Sequence, residues 1–114
     1  KGSDAEKAAR AKAITEATKG AINTPLRTME VCVESMALMQ AMAETGLPAS
    51  VSDAGVGAVC ARAGAIAGYL NILINCSGLN DADFKTKVLA KAEALRSEAE
   101  ALEADVMRVT LSKM

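Results

Sequence analysis

Seven polar or small residues recur along one line of the segment SVSDAGVGAVCARAGAIAGYLNILIN, Ser50 to Asn75. At about 100° per residue, Asp53, Gly57, Cys60, Gly64, Gly68, Asn71 and Asn75 fall within one narrow sector of a helix. Asp53 is the only acid on that face, and one positioned carboxylate can take a proton from an attacking group and deliver one to a departing group. Asn71 and Asn75 add amide donors and acceptors, and Ser52 adds a hydroxyl beside the carboxylate. Both Ser52 and Asp53 also have a plainer use as the cap of the helix, where a hydroxyl or a negative charge is favoured. Glycine costs about 0.5 to 1 kcal/mol relative to alanine inside a helix, so three on one line imply a close approach. The approaching body is either another helix backbone or a flat ligand in a shallow trough, with Asp53 at one end and the asparagines at the other. Cys60 on this face suits packing. The opposite flank, Val56, Val59, Ile66, Leu70, Leu73 and Ile74, is the apolar stripe expected to face a core.

Other chemistries have little to work with. The chain has no histidine, and Cys32, Cys60 and Cys76 are odd in number, far apart and without metal or redox spacing. They read as buried free thiols of a reducing compartment, and no metal site is expected. No phosphate-binding glycine loop or nucleophile elbow occurs. A net charge of −1 with 24% charged residues gives no electrostatic reason to expect nucleic acid or an anionic membrane. Residues 63–80 carry no charge, yet Arg62 interrupts the longer run, and asparagines and several glycines dilute what remains. With no signal-peptide pattern at its start, the chain reads as soluble and cytoplasmic, with no membrane partner.

The elements that must position these residues are helices. Hydrophobic residues make up 51% of the 114 and aromatics 2%, so alanine, methionine, leucine and valine must build the core. Ser3 with Glu6 makes a capping box for a first helix, which carries Ile14, Ala17 and Ala21 on one side and runs to about Asn23. Thr24 and Pro25 read as the cap and first turn of a second helix, or as a kink in a continuing one. Leu26, Met29, Val33, Met36, Gln40 and Ala43 recur at threes and fours until Gly46 and Pro48 stop them. A third helix starts at Ser52 or Asp53 and ends at Gly78. A fourth starts at Asn80 or Asp81 and carries the seam Val88, Ala92, Leu95, Ala99, Leu102, Val106 and Val109. No segment alternates with period two, so the fold class is all-α, an antiparallel bundle of about four helices without β-sheet.

SDAGVGA at Ser52 to Ala58, followed by YLNILIN at Tyr69 to Asn75, with TPL at Thr24 to Leu26 and SGL at Ser77 to Leu79, carries a resemblance. The chain resembles the formiminotetrahydrofolate cyclodeaminase and methenyltetrahydrofolate cyclohydrolase family over essentially its whole length. Members begin with a further helical segment holding a PGGGS-like turn, which has no counterpart here. Ile72 stands where valine is usual, and Ala65 to Gly68 are smaller than in many members. The resemblance therefore implies that residues 1–114 form one helical unit, the C-terminal part of a longer domain, in keeping with a sequence that starts at Lys1 without methionine. It implies a homodimer acting on a tetrahydrofolate one-carbon derivative as substrate, with no metal and no other cofactor. The reaction is either cyclodeamination of the 5-formimino form with loss of ammonia or hydrolysis of the 5,10-methenyl form. Asp53 becomes the expected acid and base, with Asn71, Asn75, Ser52 and Gly57 against the substrate. Lys19 and Arg27 are further candidates, for the glutamate tail, while Tyr69 and Arg62 are expected to serve the surface or the dimer. The competing reading is a non-catalytic helical module that pairs through the seam of the last helix.

Overall fold

A computed structural model describes residues 2–114, and Lys1 lies outside them. Among the described residues there are three α-helices and no strand: α1 (Asp4–Thr45), α2 (Val51–Ser77) and α3 (Ala82–Ser112), with a short 3-10 turn, Pro48–Ser50, leading into α2. The expected four helices are three, because the first two are one. Pro25 sits inside α1. Its ring nitrogen cannot donate to the carbonyl four residues back, a loss that ordinarily bends or ends a helix. Here Ile22 and Met29, on either side of it, are both fully buried in one cluster with Ile72, Cys76, Val88 and Ala92. Burying large apolar side chains contributes about 1.5 to 3 kcal/mol each, enough to offset one missing hydrogen bond. Thr24 does not cap; its hydroxyl donates to the Gly20 carbonyl as in a helix interior.

The ends follow local chemistry more closely. Ser3 and Glu6 form the capping box, the Glu6 amide donating to Ser3 Oγ at 3.2 Å and the Ser3 amide to Glu6 Oε1 at 3.2 Å. Asp81 caps α3 by accepting from the Phe84 amide. The start of α2 differs from expectation. It begins at Val51 behind Ser50, which makes no side-chain cap, because the turn at Pro48 already winds the backbone toward helix. Ser52 and Asp53 therefore lie in its first turn.

Contacts fix the directions. Gly57, Gly64 and Gly68 meet Met39, Cys32 and Met29 in that order, so α2 runs antiparallel to α1. Arg62 reaches Glu103 at 3.2 Å and Tyr69 reaches Glu93 at 2.7 Å, so α3 is antiparallel to α2. The seam of α3 behaves as expected, with Val88, Ala92, Ala99 and Val106 buried and Leu95, Leu102 and Val109 packed at the rim. The bundle is 67 Å long and only 19 by 15 Å across. Its radius of gyration, 19.0 Å, exceeds the roughly 13 Å of a compact domain this long. Much of the length is the start of α1, whose first buried residue is Ile22; Ile14 is 59% exposed, against the expectation that it packs.

The largest departure concerns the faces of α2. Its buried residues are Val51, Ala54, Gly55, Ala58, Ala61, Ala65, Gly68, Ile72 and Cys76. The flank expected in the core lies outside, with Val56, Val59, Leu70, Leu73 and Ile74 exposed and Ile66 half-buried. Small residues win the inner position because α1 presents methionines: Met29 and Met36 are fully buried and Met39 half-buried, and their side chains fill the notches that alanine and glycine leave.

Candidate functional site

The glycine line divides into two uses. Gly57, Gly64 and Gly68 are contacts between α1 and α2: a Cβ at Gly68 would stand 2.8 Å from the Pro25 carbonyl oxygen and 2.8 Å from Met29 Cγ. The close approach is thus met by a neighbouring helix, the first of the two alternatives the spacing allowed. The polar residues of the line stay outside that contact. Asp53, Cys60 and Asn71 are exposed and Asn75 is half-buried.

Asp53 lines a cleft of ≈ 230 Å³ at one end of the bundle, between Met39, Met42, Gly46 and Leu47 of the α1 end and Ser50 and Ala54 of the α2 start. Among the described residues its carboxylate has no ion pair and no hydrogen bond. Ser52 points into a different hollow of ≈ 270 Å³ with Val59, Cys60, Met107 and Thr110, and so does not stand beside Asp53 as a partner.

Asn71 belongs elsewhere. It lines a groove of ≈ 280 Å³ with Thr24, Pro25, Thr28, Gly64 and Gly68. Eighteen residues of helix separate it from Asp53, about 27 Å at 1.5 Å per residue. Asn75 follows one turn later and donates to the Asn71 backbone carbonyl at 2.8 Å, a bond within its own helix. The structure thus brings Asn71 and Asn75 together and Asp53 toward the α1 end, but it does not bring the carboxylate to the amides. Gly57 is occupied by Met39.

One surface depression escaped the sequence reading. Asn23, Thr24, Arg27 and Thr28, with Val31 and Cys32, line an open depression of ≈ 550 Å³ that shares Thr24 and Thr28 with the Asn71 groove. The signal was the spacing of Thr24 and Thr28, four apart on one face, hidden when Thr24 is assigned to a helix start. Arg27 rims this depression, its guanidinium 3.0 Å from Glu30 and 3.1 Å from Glu34. Lys19 is turned to structure, 2.7 Å from Asp81 and over the Phe84 ring. Arg62 and Tyr69, expected to serve the outer surface or a dimer, are partly exposed and tie α2 to α3. Of the thiols expected to be buried, Cys76 is, Cys32 is half-buried and Cys60 is exposed. Burial pushes the Cys32 and Cys76 thiols above their ordinary pKa. Among the described residues no three acidic, cysteine or histidine side chains converge to hold a metal.

Comparison with known proteins decides the lineage. Residues 1–94 match the Formiminotransferase-cyclodeaminase family. The chain belongs to that family. Over all 114 residues it is 40% identical to the methenyltetrahydrofolate cyclohydrolase of Methylorubrum extorquens, covering 55% of that protein. It is 31% identical over 94 residues to the formimidoyltransferase-cyclodeaminase of Mus musculus and 32% over 94 residues to that of Sus scrofa, covering 17% of each. The chain therefore spans about half the length of the bacterial relative and a much smaller share of the mammalian ones.

Proposed function

We propose that the complete protein to which this chain belongs acts on the one-carbon unit held between N5 and N10 of tetrahydrofolate. The observation that carries this is the 40% identity over all 114 residues to a methenyltetrahydrofolate cyclohydrolase. It favours hydrolysis of the 5,10-methenyl form over cyclodeamination of the 5-formimino form. In hydrolysis, water adds to the methenyl carbon and loses a proton, the carbon–N5 bond breaks, and N5 takes a proton to leave 10-formyltetrahydrofolate. In cyclodeamination, N10 attacks the formimino carbon and gives up its proton, the formimino nitrogen takes up two protons, and its bond to that carbon breaks, releasing ammonia and leaving the 5,10-methenyl form. Either route needs one group that accepts and returns a proton at a tetrahedral carbon.

Asp53 is our candidate for that group. Its carboxylate is free of partners among the described residues and opens on a cleft. The groove of Asn71, Thr24 and Thr28 presents the hydroxyl and amide groups suited to a pterin edge. Because about 27 Å of helix lies between the two, one copy of this chain does not close the site around a single reacting carbon. The remainder of a longer protein, or a second copy, would have to bring acid and ring groove together.

The test is to assay the full-length protein against both folates, then its Asp53→Asn variant. Turnover of the methenyl form should fall by roughly 10² to 10⁴ in the variant while helicity and melting temperature hold, since the side chain is exposed and unpaired. A fully active Asp53→Asn would remove Asp53 from the chemistry. Turnover of neither folate, with no folate binding by calorimetry, would leave the helical interaction module as the better reading.

A further inference from the structure

A proline inside a helix leaves an acceptor behind it. Pro25 has no N–H, so the carbonyl of Ala21, four residues back, lacks the donor that an interior carbonyl of α1 otherwise meets. Among the described residues no side chain supplies one. The hydroxyls nearest to it in sequence, those of Thr24 and Thr28, donate instead to the carbonyls of Gly20 and Thr24 at 3.4 and 3.2 Å. The Ala21 carbonyl points along the helix axis at the Pro25 ring, and Pro25 lines the groove that Thr24, Thr28, Gly68 and Asn71 share. Its lone pairs are open to a donor that enters there.

The rest of the groove has the same polarity. Because each hydroxyl hydrogen already goes to a backbone carbonyl, Thr24 Oγ1 and Thr28 Oγ1 have only lone pairs left to offer. Asn71 differs. Its backbone carbonyl accepts from Asn75, while among the described residues its side-chain amide is unpaired and can both donate and accept. No charged residue is among those that line the groove. A surface made of acceptors and one amide selects a ligand by its N–H groups, because a ligand oxygen set against those lone pairs would lose its water without gaining a bond. With the groove read as the pterin site, this polarity decides which way the ring enters. The aminopyrimidinone end of a pterin carries the 2-amino group, N3–H and the C4 carbonyl in a row, and N5 and N10 lie at the other end. We propose that the Ala21 carbonyl, kept open by Pro25, accepts from the 2-amino group while the Asn71 amide meets N3–H and the C4 carbonyl, so that the pterin enters by its aminopyrimidinone end. The one-carbon unit then faces out of the groove, toward whatever brings the acid. Pro25 is a positioning residue: it holds an acceptor open without itself bonding the ligand.

The test is Pro25→Ala in the full-length protein, with two ligands. An alanine amide restores the helical bond to Ala21, so the melting temperature should rise while the acceptor is lost to the groove. Calorimetry then compares tetrahydrofolate with its 2-desamino-2-methyl analogue, which lacks the donor. Wild type should bind tetrahydrofolate about tenfold more tightly than the analogue, the weight of one hydrogen bond. Pro25→Ala should bind both alike, at the weaker level. In turnover the variant should raise KM about tenfold with kcat near wild type, because the lost bond is the same in ground and transition states. A change in the bend of α1 alone would weaken both ligands together and leave their ratio at about ten. Equal binding of the two by wild type, a ratio that survives in Pro25→Ala, or a melting temperature that does not rise would each overturn the proposal. The last would mean that the Ala21 carbonyl already has a donor. Those results leave the pterin reading of the groove standing, whereas a full-length protein that binds neither ligand would remove that reading and this one with it.

Discussion

Replacing the helix glycines one at a time separates close packing from mere tolerance. At Gly68 an added methyl would meet Met29 Cγ and the Pro25 carbonyl oxygen, each at 2.8 Å. The methionine can swing aside; a backbone carbonyl cannot. Gly68→Ala should therefore push α1 and α2 apart, an overpacking that costs about 1 to 3 kcal/mol, against a gain of about 0.5 to 1 kcal/mol in helix propensity. The net loss is about 0 to 2.5 kcal/mol. Gly20 supplies the contrast, since a Cβ there meets nothing within 4 Å and Gly20→Ala keeps the whole propensity gain. Gly57 falls between them, because only the flexible end of Met39 stands in the way. With unfolding entropy near 2.1 cal/mol/K per residue, 1 kcal/mol corresponds to about 4 °C for 114 residues. Gly68→Ala should thus melt up to about 10 °C lower, Gly57→Ala close to wild type, and Gly20→Ala about 2 to 4 °C higher. The measurement is thermal and urea unfolding followed by helical circular dichroism at one protein concentration. A Gly68→Ala chain melting at or above Gly20→Ala would show that α2 is not held against Pro25, and the packing account of the glycine line would fall.

The remaining predictions concern acid and an orphaned hydroxyl. Arg96, and then the Tyr69 hydroxyl, hold the Glu93 carboxyl down at about 2, and Asp81 beside Lys19 and Glu30 beside Lys91 are shifted the same way. Because the folded-state values are depressed, this stabilisation is present above the ordinary carboxylate range and is lost as pH falls through the folded values. The melting temperature should decline between about pH 5 and pH 2, with a shallower decline in Glu93→Gln; an unchanged slope would show that this tie between α2 and α3 does not hold in solution. Thr110 is 3% exposed, and among the described residues its hydroxyl finds no partner. Thr110→Val, similar in shape, should gain about 1 kcal/mol in urea unfolding, and a loss would mean that the hydroxyl is satisfied in solution.

What the sequence determined was local. The capping box at Ser3, the cap at Asp81, the stops at Gly46 and Gly78, the methionine ladder of α1 and the alanine-leucine seam of α3 all appear where their spacing puts them. Each rests on bonds or periodicities within a few turns of one chain segment. The family too was readable, from polar positions around Asp53 and Asn71 whose order along the chain does not depend on how the helices pack. Three matters were settled only by tertiary contact. Pro25 carries a breaking signal, and α1 continues because Ile22 and Met29 share one core. Val56, Leu70 and Ile74 are more hydrophobic than Ala58, Ala61 and Ala65, yet the alanines are buried, because the methionines of α1 fit against a shallow face and leave no depth for larger side chains. A helical wheel projects Asp53 and Asn71 onto one line and discards the axis, so only the built helix, with about 27 Å between them, separates the carboxylate from the amides.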